Sequence, residues 1–276
     1  MANHALDLNP PNADIHISTH GSDWLWAAFS LITLGLLVTI FLDFTRPRGT
    51  RLFHQLAIII LATTSLAYFS MASDLGATPI TTEFRGAGES RQIWYVRYIQ
   101  WFITFPLLLL SVLLTTGLSL SDIVTTLFFA DFVVISGLVG ALVHSTYKWG
   151  YFTLGVSALF YVWYVLLWHA PRTTFAAEGA FHRGYRVCSA FLAFMLLTYP
   201  ISWALSEGSN VISPTSEMIW YGILDVITGP IFLLFFLFQL NTVDYAAFGF
   251  ASGKYTDTAA GAPARVTKAQ EAGEQA

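Results

Sequence analysis

Seven long apolar stretches, separated by short polar gaps, organise the chain. Leu25 to Leu42, Gln55 to Ser73, Tyr98 to Ser121, Trp149 to Pro171 and Val187 to Ser206 contain no Asp, Glu, Lys or Arg. Ile123 to Tyr147 carries only Asp131, and Met218 to Val243 carries only Asp225. A helix rises about 1.5 Å per residue, so about 20 mainly apolar residues cross the hydrocarbon core of a bilayer. The pattern therefore predicts an all-α membrane protein, a seven-transmembrane helix bundle forming one domain over residues 23–250. Residues 1–22 read as a polar N-terminal tail outside the membrane. The segment Tyr245 to Phe250 reads as interfacial, and residues 251–276, rich in Ala, Gly and Glu without periodicity, as a disordered cytoplasmic tail.

Composition agrees with that reading. Of 276 residues, 55% are apolar and 11% charged, against about 25% charged in a soluble domain. The net charge of -4 is segregated by loop, and no basic stripe for nucleic acid exists. One cysteine, Cys188, excludes an internal disulfide framework. The first 22 residues lack the basic and apolar parts of a signal peptide, so the first span is expected to stay as an anchor. With the N-terminus outside, nine Lys and Arg fall on the cytoplasmic side and only Arg85, Arg91 and Lys148 on the outer side. That excess predicts N-terminus out and C-terminus in.

An ionisable group inside a span costs about 2.5 to 3.5 kcal/mol on insertion scales, so it faces the bundle interior and finds a partner. Arg97 lies about one turn into the third span, and Asp225 lies eight residues after Glu217 in the seventh. Both fall in the outer half, which predicts an Arg97 and Asp225 pair, either a structural ion pair or the remnant of an ion or proton pathway. Asp131 has no evident partner and reads as a neutral, hydrogen-bonded acid at a helix contact. Pro106, Pro200 and Pro230 each remove a backbone hydrogen bond and predict kinks, sharpest at Gly229-Pro230. Tyr68, Trp101, Tyr199 and Trp203 sit near mid-span, where packing is the default role of an aromatic.

Three segments resemble the microbial (type I) rhodopsins. Arg97-Tyr98-Ile99-Gln100-Trp101-Phe102-Ile103-Thr104-Phe105-Pro106, followed by four leucines, is similar to that family's R-Y-x-D-W-x-x-T-x-P-L-L-L-L segment. Tyr199-Pro200-Ile201-Ser202-Trp203 is similar to Y-P-x-x-W, and Leu224-Asp225-Val226-Ile227-Thr228-Gly229 to L-D-x-x-x-K. The resemblance implies a retinal pocket whose positions here are Tyr68, Trp101, Thr104, Phe152, Leu196, Tyr199, Trp203, Asp225 and Gly229. It implies a polar network of Arg97, Gln100, Asp225, Glu207 and Glu217, of which the two glutamates resemble the outward proton-release acids.

The departures carry the functional argument. Gly229 stands where the family's lysine binds retinal as a Schiff base, and the three lysines of the chain, Lys148, Lys254 and Lys268, lie at a loop edge and in the tail. Gln100 stands at the usual proton acceptor and Ser111 at the donor, and neither an amide nor an alcohol titrates near neutral pH. A light-driven proton pump is therefore not expected, and no covalent cofactor is. Leu196 and Phe152 replace tryptophans that usually wall the ligand slot, although retinal or another apolar molecule could still bind non-covalently.

The pattern, together with Ala5 to Asp14 and Thr19 to Trp26, resembles the fungal opsin-related subgroup that includes plasma-membrane heat-shock proteins of about thirty kilodaltons. That resemblance implies a stress-associated, multi-pass plasma-membrane protein. Its expected partners are a plasma-membrane proton ATPase, other membrane proteins whose folding it assists, or further copies of itself. A non-covalent ligand binder and a passive ion pathway through Gln100, Arg97, Asp225 and Glu217 are the alternatives. An enzyme is not expected: there is no phosphate loop, nucleophile elbow or hydrolytic carboxylate pair. His4, His16 and His20 read as a solvated tail rather than a metal site.

Overall fold

A computed structural model describes residues 3–47, 49–173, 181–243 and 248. After a single turn, α1 (Ala5–Leu8), the chain forms α2 (Thr19–Thr45), α3 (Leu52–Ala72), a hairpin of β1 (Thr78–Thr81) and β2 (Ser90–Ile93), then α4 (Tyr95–Leu113) and α5 (Leu120–Leu142). It continues through α6 (Lys148–Tyr164), α7 (His182–Trp203), α8 (Pro214–Val226) and α9 (Phe232–Gln239). A π-turn over Ile227–Ile231 joins α8 and α9 into one rod, and π-turns over Val165–His169 and Ala204–Gly208 extend α6 and α7. Among the described residues, seven helical rods are thus long and apolar enough to span a bilayer. Large side chains such as Leu34, Phe41, Phe128, Phe160, Phe194 and Phe238 are exposed on the outside of the bundle, as a lipid solvent requires.

The helices start where the sequence supplies an oxygen for the first free N–H groups. Ser18, Ser119 and Ser213 cap α2, α5 and α8, accepting from Gly21 N, Asp122 N and Ser216 N. Pro214 at the first position of α8 costs nothing there, since no intrahelical bond is lost. Several span ends differ from the sequence reading; the third span stops at Leu113 rather than Ser121, and two further ends have an evident cause. The fourth span stops at Leu142, so His144 to Tyr147 form a linker, because Val143 takes an extended conformation. The seventh begins at Pro214, four residues before Met218, because the Ser213 cap extends it. Of the segment expected at the interface, Tyr245 to Ala247, Gly249 and Phe250 lie outside the described residues, as does the 251–276 tail.

Of the three prolines expected to kink their helices, Pro106 and Pro200 lie within the α-helical α4 and α7, with a wide π-turn beginning four residues after Pro200, whereas Pro230 lies inside a π-turn itself. Around Pro230 the π-turn lets the rod pass α2, where Gly35 lies so close that a Cβ would stand 2.5 Å from the Pro230 Cβ. A small residue at this crossing lets the two backbones approach, the usual device of helix packing in lipid.

The largest addition to the sequence reading is at the end of the bundle that carries the N-terminal segment. Residues there are not a loose tail. Ile15 bridges in parallel to Arg91 beside β2, with Ile15 N donating to Ser90 O and Gln92 N donating to Ile15 O, each at 2.9 Å. Asn9 Nδ2 donates to Ser73 O at 2.8 Å, Ile17 N to the Gln92 side chain at 2.9 Å, and Ser18 N to Thr215 Oγ1 at 2.9 Å. Asp14 accepts from the Ser90 N–H and hydroxyl, both at 2.8 Å, which holds its carboxyl below the usual carboxylate range. The hairpin and this segment together form a lid, here called the cap. Gly76, at φ 90°, makes the turn into the hairpin, and a Cβ there would strike Val96.

Candidate functional site

The motif positions of α4, α7 and α8 meet at mid-bundle. Asp225 accepts from Tyr199 OH at Oδ1 and from Tyr68 OH at Oδ2, both at 2.7 Å. Arg97 Nη2 lies 3.9 Å from Asp225 Oδ1, so the two expected partners face each other as a loose ion pair inside the membrane domain. The guanidinium carbon stands 3.4 Å from the centroid of the Tyr221 ring and 5.6 Å from that of Tyr199, a cation–π arrangement that substitutes for water around a buried charge. Gln100 Nε2 donates to Thr104 Oγ1 at 3.0 Å and Thr64 Oγ1 at 3.4 Å, while its Oε1 has no partner among the described residues. Ser111 bonds back to Leu107 O at 2.8 Å, within its own helix.

The expected pocket residues fall into two spaces. The smaller, about 10 Å³, lies among Thr64, Gln100, Trp101, Thr104, Asp225 and Gly229. A Cβ on Gly229 would meet only Leu61 Cδ2, at 3.7 Å, so the backbone there leaves the root of a side chain room. The larger, about 110 Å³, lies between α4, α5, α6 and α7 and is walled by Trp101, Phe105, Phe152, Leu196, Tyr199 and Trp203, among others. Phe152 stacks on Trp203 at 5.2 Å and 19°, and Trp203 Nε1 donates to Gly137 O at 3.2 Å. Trp101 lines both spaces, and Tyr199, its ring centroid 4.7 Å from that of Trp101, lines the larger. Tyr68 lines neither cavity and acts on the site through Asp225.

Glu207 and Glu217 lie towards the cap, apart from the Asp225 cluster. Tyr98 OH donates to Glu207 Oε2 at 2.5 Å. Glu217 is held by Arg91, whose Nη2 lies 2.5 Å from Oε2 with both side chains buried. Arg91 Nη1 also donates to Ile212 O at 2.7 Å and to Asn210 Oδ1. Lys148 Nζ reaches Glu207 O at 3.4 Å. Read from sequence, Arg91 and Lys148 are only loop charges. No local pattern in Ser90-Arg91-Gln92-Ile93 marks Arg91, whose side-chain partners Asn210, Ile212 and Glu217 lie more than a hundred residues further along the chain.

Asp131 differs from the reading of a hydrogen-bonded acid. Its Oδ1 is buried with no hydrogen-bond partner among the described residues. The α5 positions one turn away, Phe128 and Ile135, are apolar and exposed on the bundle surface, and offer it nothing. Among the described residues no three His, Cys, Asp or Glu side chains group as metal ligands; His4 bonds Asp7 and His16 bonds the Ile17 carbonyl.

This arrangement has counterparts among known proteins. Residues 20–243 match the family described as bacteriorhodopsin-like protein. Protein FDD123 of Trametes versicolor is 70% identical, the match covering 95% of this chain and 93% of that protein. The 30 kDa heat shock protein of Saccharomyces cerevisiae is 36% identical over 87% of this chain and 78% of its own length. Among solved structures, a light-driven proton pump rhodopsin of Coccomyxa subellipsoidea superposes with a TM-score of 0.77 at 30% identity, covering 82% of this chain and 99% of that one.

Proposed function

The chain belongs to the bacteriorhodopsin-like family, and from that premise we propose that it is a member that does not pump: a seven-helix plasma-membrane protein acting through partner proteins in the stress response. One observation carries the reading. Where the family needs an amine, the chain places Gly229, and the space beside it holds an amide, hydroxyls and an acid already engaged by two tyrosines. No group there forms a Schiff base, and Gln100 does not accept a proton near neutral pH. Similarity to a heat shock protein of yeast supports the stress assignment. The partners in this reading are those the resemblance implies, a plasma-membrane proton ATPase or client membrane proteins, with the N-terminus outside.

The test is an absorption spectrum of purified protein with added all-trans retinal, run beside Gly229→Lys and followed by denaturing extraction. The expected result is a red-shifted, covalently retained band in the variant alone. A covalent band in the wild type would overturn the proposal. For the partner role, cells with and without the chain are expected to differ in proton extrusion under heat or acid stress; equal rates would count against it.

The 110 Å³ cavity favours a second reading, non-covalent binding of an apolar molecule. Retinal extracted intact from wild-type protein, without a visible covalent band, is the result that would support it.

A further inference from the structure

Asp131 sits at the middle of α5, midway between Leu120 and Leu142. At about 1.5 Å per residue it lies about 16 Å from either end of the rod. That is the depth of the bilayer midplane, where so short a side chain reaches neither water nor lipid headgroups. The residue is half-buried: Oδ1 is enclosed, Oδ2 is not, and neither oxygen makes a hydrogen bond or ion pair with a described residue. In line with it along the helix are Val124, Phe128, Ile135, Leu138 and Leu142, all exposed except the partly buried Leu138. With Asp131 these positions recur at steps of four, three, four, three and four. Such steps make a heptad seam, the surface that one helix packs against another at a shallow crossing angle. Among the described residues, no rod of the bundle covers this one.

We infer that this face of α5 binds a second copy of the chain, the two α5 rods lying parallel with Asp131 against Asp131. Copies inserted in one orientation pair about a twofold axis along the membrane normal, and a shared seam on that axis sets each residue opposite itself. The second copy brings no cation to this depth, since the basic side chains of the described spans lie near their ends or, like Arg97, inside the bundle. What it does bring is another acid, and a carboxylic acid is its own complement. With its proton it donates through O–H and accepts at the other oxygen, so two of them close a reciprocal pair. Acyl chains offer an acid no such partner. The apolar seam positions supply the contact, and one polar residue among them fixes register and the number of helices, as a polar core position does in coiled coils. The interface is independent of whether the bundle interior holds a ligand.

The test uses the full-length chain in liposomes, with Cys188→Ala removing its one cysteine. Single cysteines are placed on the seam by Phe128→Cys or Ile135→Cys, and off it by Thr125→Cys on α5 or Phe194→Cys on α7, all at exposed positions. Oxidation with copper phenanthroline is expected to give a product of doubled mass several-fold more readily at 128 and 135 than at 125 and 194. Association is then followed by fluorescence energy transfer between donor- and acceptor-labelled copies across a series of protein-to-lipid ratios. Asp131→Leu is expected to associate about tenfold more weakly, two interhelical hydrogen bonds being lost, whereas Asp131→Asn, whose amide also donates and accepts, keeps the association. Undiminished association of Asp131→Leu, or an equal loss in Asp131→Asn, overturns the inference. A chain that stays monomeric at every ratio overturns it too, as do seam cysteines no more reactive than the others; lipid or a different membrane helix then covers the face. The crosslinking leaves Asp131 in place, so its outcome stands whether or not the Asp131 variants fold.

Discussion

The cap and the mid-bundle bury polar groups in opposite ways. At the cap, charges are kept and paired: Arg91 with Glu217, supported by Asn210 and the Ile212 carbonyl, and Lys148 against the Glu207 backbone. At mid-bundle the charged complement is reduced to Arg97 and Asp225, and the surrounding positions are Gln100, Thr104, Ser111 and Gly229. The difference has a simple electrostatic origin. Without an amine at 229, a carboxylate at 100 beside Asp225 would leave two anions against one cation in low dielectric, and an uncompensated buried charge costs several kcal/mol. An amide at that place removes the charge and keeps a hydrogen bond to Thr104. With glycine rather than an amine at 229, a neutral Gln100 is the less costly residue at its position.

Breaking the cap pair tests the comparison most severely. Arg91→Met leaves Glu217 buried and unpaired and is expected to cost about 3 to 5 kcal/mol, read as a lowered midpoint of unfolding in mixed micelles. Adding Glu217→Leu should restore most of the loss, since a matched apolar pair replaces a buried ion pair at little cost. The mid-bundle should behave differently. Gln100→Leu removes an amide whose oxygen is already unpartnered, so a change of about 1 kcal/mol or less is expected by the same measurement; a loss as large as that of Arg91→Met would erase the contrast. The smallest effect belongs to the exposed edge of the cap. Asp14 has a depressed pKa, so its contribution is present above the unfolded carboxylate range, near pH 4, and is lost as pH falls through its folded value. Thermal unfolding followed from pH 6 to pH 3 should show a slightly shallower acid decline in Asp14→Asn.

The same contrast governs what is legible in the sequence. The seven spans can be read because lipid tolerates few alternatives to about 20 apolar residues in a helix. Arg97 and Asp225 are legible for the same reason: a charge in a span must meet another, and the loop order leaves few candidates. Arg91 is hidden because it belongs to no span. It is bridged by Ile15, 76 residues away, and its side chain is held by Asn210, Ile212 and Glu217, contacts that no local pattern announces. The pocket residues follow from resemblance, which names positions but not space. Their division into two cavities, with Trp101 lining both, is decided by packing. Asp131 shows the limit of the partner rule, since its Oδ1 is buried without one among the described residues.

The cap ties together parts of the chain made at different times. Arg91 is synthesised 126 residues before Glu217, and Ser18 197 residues before Thr215, which accepts its N–H. Until the last rod is inserted, the guanidinium lacks Glu217 and the N-terminal segment lacks its contact with Thr215. The Arg91–Glu217 contact is thus a mark of completion: a chain arrested after six helices carries an open, hydrated charge at this end, and the finished one does not.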